Sequence, residues 1–169
     1  MRVRLATCAV CCLAAFAACA QTFPEKAVTL IAPFTAGGSV DLVARTVAQQ
    51  MGDLWKQPVI VSNRPGASGN IGVEAVVRAP PDGYTLLIGT TALSSSPALF
   101  PKLPFDPPRD LAPVGLVVTM PNVLVVSPST GFKSLAELLA AARAKPGDIQ
   151  YASAGNGTST HITGELFKV

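Results

Sequence analysis

Three short stretches carry the residue types that could do chemistry: AGGSVD from Ala36 to Asp41, GTTALSSS from Gly89 to Ser96, and SAGNGTSTH from Ser153 to His161. Each follows an apolar run, and the first and third lead directly into a helical pattern. A helix begins with backbone N–H groups that lack an intrahelical partner and carries a partial positive charge at that end. Glycine lets a ligand approach the main chain there, and Ser or Thr adds hydroxyl donors. The chemistry such loops offer is the binding of an anion by N–H groups.

Sharper motifs fail. No GxxxxGK[ST] phosphate loop occurs, no GxGxxG follows the first apolar run, and GASGN (Gly66 to Asn70) is not the GxSxG of a nucleophile elbow. His161 is the only histidine. It could act as a base for Ser153 or Ser159, but no orienting partner is evident, and at a helix start it reads first as a hydrogen-bonding residue. Asp41 falls in the first turn of a helix, where the dipole favours a carboxylate and where it would order the Gly37–Ser39 loop. SNRPGASGNIG, Ser62 to Gly72, adds Asn63, Arg64 and Asn70. Arg64 would either pair with a ligand carboxylate or brace its own loop.

The elements that must position these loops alternate between strand and helix. VTLIAP (Val28 to Pro33) is an almost wholly apolar run, as expected of a parallel strand buried on both faces. Val40, Val43, Ala44, Val47, Ala48 and Met51 then recur at helical spacing, with Ser39 as the expected N-cap. PVIVSN (Pro58 to Asn63) predicts a second strand, residues 69–78 a helix, PPDGY (Pro80 to Tyr84) a turn, and TLLIG (Thr85 to Gly89) a third strand. This βαβαβ order predicts an α/β fold whose ligand edge lies beyond the carboxyl ends of the strands.

Farther on, residues 100–115 hold five prolines and read as an irregular connection. Val114 to Val118 and Val123 to Val126 are apolar runs separated by TMPN, an interrupted extended segment that could cross between two lobes, and Ile149 to Ser153 is expected as a short strand. Ser134 and Glu137 predict a capping box for a helix with Leu135, Leu138, Leu139 and Ala142 on its apolar face, ended by the KPG of Lys145 to Gly147. A last helix starts near Thr158 and continues to Val169 without a stop signal, which reads as a fragment.

The start of the chain reads as an export leader. Arg2 and Arg4 precede the apolar stretch Val10 to Ala18, and Ala18 to Ala20 form a small-residue cleavage site, so residues 1–20 are expected as a signal peptide and Gln21 as the first mature residue. Cys8, Cys11, Cys12 and Cys19 all precede Gln21, which leaves no disulfide, zinc site or thiol nucleophile downstream. FAAC, Phe16 to Cys19, keeps open a second reading, lipid anchoring at Cys19. Of thirteen basic residues, Arg2 and Arg4 leave with the leader, so eleven face ten acidic ones. No basic stripe suits a nucleic acid, and no later run is long enough to span a membrane.

Taken in order, FPEKAVTLIAPFTAGGSVDLVARTVAQQM, VSNRPGASGNIG, APPDGYTLLIGTT, FPKLPFDPPRDLAPVGLV and YASAGNGTSTHITGELFK resemble the Bug-type receptors, the substrate-binding proteins of tripartite tricarboxylate transporters. The resemblance runs from Phe23 to the last residue. It implies a periplasmic, two-lobed Venus-flytrap fold that closes on a small carboxylate: a tricarboxylate, dicarboxylate, amino acid or aromatic acid. Residues 21–118 would form the first lobe, 119–126 an inter-lobe crossing and 127–169 the start of a second lobe that the family continues beyond Val169. Carried over by position, the ligand would meet Gly37, Gly38, Ser39 and Asp41, with Thr90 and Thr91 nearby, and Ser153, Gly155, Asn156, Gly157, Thr158 and His161. Ala36 and Ser68 stand where members often have proline or alanine and glycine. The resemblance implies no catalytic residue, metal or cofactor, and a monomer that serves membrane permease subunits. Two other functions stay open from the residues: a ligand-presenting partner of a membrane sensor kinase, and an exported α/β serine hydrolase using His161.

Overall fold

The computed structural model describes residues 23–168. The expected leader, its cleavage site and the Cys19 anchor lie outside the described residues.

Strand β1 (Val28–Ala32) is the centre of a three-stranded parallel sheet, with β2 (Val59–Asn63) on one side and β3 (Thr85–Leu87) on the other. Val28 lies opposite Val59, and Thr29 lies between Ile60 and Thr85. Its apolar composition follows from this place: Val28, Leu30, Ile31 and Ala32 are all buried. A strand covered on both faces has no solvent side for alternating polar residues, so β1 is almost wholly apolar, with only the half-buried Thr29 polar.

Helix α1 (Ser39–Trp55) lies across β1 and β2. Ala44 and Ala48 pack directly on Leu30, Ala32 and Ile88, and their small size lets the helix sit close to the sheet while Val40 and Val47 fill the flanks. Helix α2 (Asn70–Val77) packs against β3 and β1 and buries Val73. Its Gly72 admits no side chain, because Pro33 and the Arg64 carbonyl occupy that space.

Helix α3 (Thr91–Leu99) follows β3 at once, although this serine-rich stretch with Pro97 reads as a loop in the sequence. A short α4 (Pro107–Asp110) breaks the proline-rich connection, and α5 (Leu135–Ala144) and α6 (Ser159–Phe167) follow where a capping box and a Thr158 cap were expected. Glu137 N–H donates to Ser134 Oγ, and the Glu137 carboxylate reaches back to the Lys133 N–H.

The expected strand at Ile149 to Ser153 does not form, and the two apolar runs before it stay unpaired as well. Val114 to Val118, Val123 to Val126 and Ile149 to Ser153 make no ladder, and the first two runs are exposed throughout, Val114 to 92%. An apolar run becomes a strand only when another strand takes up its N–H and C=O groups, and among the described residues none does.

Candidate functional site

The strand order β2-β1-β3 reverses direction at β1, so the connections that leave β1 and β3 diverge to opposite sides. The crevice between them, beyond the carboxyl ends of the strands, is where open α/β sheets place ligands. Gly37–Ser39 leave β1 at that crevice, and Thr90–Thr91 leave β3 there.

Gly37 takes a left-handed conformation (φ +85°), and a Cβ there would meet nothing within 4 Å. The next residue, Gly38 (φ −82°, ψ 174°), holds the cap position that the sequence suggested for Ser39, and Ser39 is the first helical residue. Gly38 has no side chain with which to cap the helix. Asp41 supplies the missing acceptor: the Gly37 N–H donates to its Oδ2 at 2.9 Å. The same oxygen accepts from Arg45 Nε at 3.0 Å, and Asn63 Nδ2 donates to Oδ1 at 2.9 Å. Asp41 is 4% exposed. Arg45, the Gly37 N–H and Asn63, in that order, hold its carboxyl at about 2 against the ordinary 3.8, and burial works the other way. Both oxygens are therefore committed to the loop and its neighbours, which makes Asp41 an organiser of the Gly37–Ser39 turn. Asn63 also donates to the Phe34 carbonyl at 3.1 Å, tying the end of β2 to the end of β1. Arg45 and Asn63 form this network across the fold.

The third stretch repeats the device. Gly157 is left-handed (φ +81°), Thr158 caps α6 by accepting from the His161 N–H, and the Gly157 N–H donates to His161 Nδ1 at 3.2 Å. In both loops a left-handed glycine donates to a side chain four residues later, and the helix starts two residues after the glycine. Thr158 Oγ1 also donates to the Gly155 carbonyl at 2.7 Å.

The structure brings this loop to the others. Ser95 Oγ of α3 donates to the Gly157 carbonyl at 2.7 Å, and Gly155 stands against Ser68. Ser68 lies in the turn Gly66–Gly69, four residues in succession with positive φ, and Gly69 in turn packs on Pro33 and Phe34 at the end of β1. Ser153 accepts from the Gly155 N–H at 3.3 Å, while Asn156 is exposed at the rim. Thr90 is the cap residue of α3 without a side-chain cap bond, and Thr91 is the first residue of the helix. Arg64 is exposed, and Asn70 is buried with its carbonyl oxygen accepting from Ser96 Oγ at 2.8 Å.

Neither Ser153 nor Ser159 is placed for attack with His161 as its base. His161 Nδ1 is taken by the Gly157 N–H and its Nε2 faces Glu165, whereas Ser159 Oγ donates to Asn122 and Ser153 is engaged with Gly155. In this structure neither hydroxyl has His161 as a base.

Residues 43–169 match the tripartite tricarboxylate transporter family receptor. The chain belongs to this family. The receptor family consists of substrate-binding proteins, not enzymes. Among its members, BugT of Bordetella pertussis is 39% identical over 152 residues, 89% of this chain and 47% of that protein. A Rhodopseudomonas palustris protein solved with adipate superposes with a TM-score of 0.83 at 37% identity, over 86% of this chain and 49% of that one. MatC of Rhodopseudomonas palustris, solved with bound malate, gives 0.79 at 33%, over 86% and 50%. The α/β fold with its parallel sheet is that of periplasmic binding proteins. The chain spans about half the length of the curated relatives it matches.

Proposed function

We propose that this chain carries the carboxylate-binding loops of an extracytoplasmic solute receptor that delivers its ligand to a tripartite tricarboxylate-type permease. The observation that carries the proposal is the pair of matched junctions at Gly37 and Gly157, each of which holds a helix N-terminus open by bonding the glycine N–H sideways. The N–H groups of Gly38 and Ser39, and of Ser159, are the donors such a site would offer, with the hydroxyls of Thr90, Thr91 and Ser153 and the backbone of Asn156 beside them; the Thr158 N–H is given to the Gly155 carbonyl and the Gly155 N–H to Ser153, which shapes the loop from within. Asp41 and His161 act through the loops rather than on the ligand. Arg45 is committed to Asp41, so an anion would be held mainly by main-chain dipoles and bridging water.

Malate and adipate, the acids in the two Rhodopseudomonas palustris relatives, define the class: a small carboxylate. In this reading residues 21–118 belong to a first lobe, 119–126 cross between lobes and 127–169 open a second. Asn122 ties the crossing to α6 through Ser159 and Thr163. The receptor would work as a monomer in the periplasm.

Thermal melting of the protein expressed from its complete reading frame, against malate, adipate, citrate and aromatic acids, tests the proposal. One acid should raise the melting point, by about 2.7 kcal/mol of stabilisation at a hundred times its dissociation constant. A cooperatively melting protein that no acid stabilises would overturn it.

A further inference from the structure

The Gly157 junction depends on which nitrogen of His161 carries the proton. Nδ1 can accept from the Gly157 N–H only if it is bare, and in a neutral imidazole that places the hydrogen on Nε2. Glu165, one turn along α6, has its Oε1 3.9 Å from Nε2. The carboxylate is itself held from two sides: the Tyr151 hydroxyl donates to Oε1 at 2.6 Å, and Lys168 Nζ lies 2.7 Å from Oε2. Tyr151 can lie over α6 only because residue 164 is glycine, since a Cβ there would overlap its ring. Lys168 and then Tyr151 hold the Glu165 carboxyl below its usual range.

We propose that Glu165 is a positioning residue of the ligand site: its carboxylate favours the Nε2–H form of His161, which leaves Nδ1 free to hold Gly157. This rests on the reading of the Gly157 junction as a ligand loop. A carboxylate beside the second nitrogen of a functional histidine fixes both tautomer and ring orientation. The consequence extends beyond α6, because the Gly157 peptide is gripped at both ends. His161 takes its N–H, and Ser95 of α3 donates to its C=O, so the tautomer set by Glu165 fixes how the loop from α6 seats on α3.

The test is the imidazole nitrogen spectrum of the ¹⁵N-labelled protein expressed from its complete reading frame, with the His161 signals identified by their loss in His161→Gln. The wild type should show a protonated Nε2 and a bare Nδ1. Glu165→Ala should move the ring toward a mixture of tautomers, and Glu165→Gln, which keeps the shape and can still accept, should move it less. Malate and adipate affinities should fall by roughly twofold to tenfold in Glu165→Ala, the range one hydrogen bond commands. An Nδ1–H wild type overturns the proposal, and so does a tautomer unchanged in Glu165→Ala. If the tautomer shifts as expected and neither acid binds the wild type, the positioning role stands and the carboxylate reading falls. The wild-type spectrum is decisive even if a variant does not fold.

Discussion

The Gly37 and Gly157 junctions solve one backbone problem with opposite chemistry. In both, a left-handed glycine donates its N–H to a side chain four residues on. At Gly37 the acceptor is an ionised aspartate, buried and surrounded by Arg45 and Asn63; at Gly157 it is a histidine ring nitrogen, and the cap residue Thr158 adds a bond of its own. The first junction has a cap without a side chain and depends on Asp41 alone. The second divides the work among His161, Thr158 and Ser95. The surroundings differ as well: Gly37 faces open space, whereas Gly157 is wedged against Ser95 and Leu99. One junction is therefore held by charge and the other by packing.

The largest effect that would break this comparison is expected from alanine at the two glycines. Gly157→Ala places a Cβ 2.6 Å from Ser95 Oγ and 2.8 Å from Leu99 Cδ1. It should cost about 1–3 kcal/mol of overpacking in addition to the left-handed penalty. Gly37→Ala should cost only that penalty, roughly 1–2 kcal/mol, because nothing stands in the way. Denaturant unfolding of the two variants measures the difference, and equal losses would mean that both junctions are governed by φ alone.

Removal of the acceptors should reverse the order. Asp41→Ala takes away the sole brace of the first loop and leaves Arg45 without its partner, so carboxylate affinity should drop roughly tenfold to a hundredfold, what a charge-assisted bond commands. His161→Ala leaves Thr158 and Ser95 in place and should cost roughly twofold to tenfold. Calorimetric titration of both variants with the same acid decides it.

The smallest expected change is with pH. The Asp41 carboxyl is lowered from 3.8 to about 2, so its contribution to stability is complete above 3.8 and is lost as pH falls through about 2. The Gly37 amide resonance should hold its position from neutral pH down to about 4 and move only as the solution approaches pH 2. Movement of that amide near pH 4 would show that the Arg45 and Asn63 bonds do not hold in solution.

Much of the first half of the chain was legible because its signals are local. An apolar run, then 3.6-residue spacing, placed β1 (Val28–Ala32) and the start of α1 (Ser39–Trp55) to within a residue, while the end of α1 lies four residues past Met51, the last position of the expected spacing. Asp41 was readable as a loop organiser from its place in the first turn. Its partners were not, because Arg45 reaches Asn63 across the fold and nothing in VIVSN marks its asparagine as a brace. The repeated glycine-to-acceptor interval in GGSVD and GTSTH was present in the sequence, yet aspartate and histidine are not usually read as equivalents. Helix α3 was missed because serine and Pro97 weaken every helical signal that Thr91–Leu99 carries. Ile149 to Ser153 failed as a strand for another reason: composition reports a liking for strand, but pairing is decided by a partner that local sequence does not contain.

The placement of β1 at the middle of the sheet also sets the order in which the protein can assemble. The first strand to emerge from the ribosome is the one that needs two neighbours, and Val28 must wait for Val59 while Thr29 must wait for Thr85. Parallel pairing across such intervals is slow, since loop closure precedes any gain from the ladder. Until Val59–Asn63 have been synthesised β1 stands bare on both edges, and until Thr85–Leu87 follow it stands bare on one. The three-stranded sheet is therefore complete only when its third strand arrives.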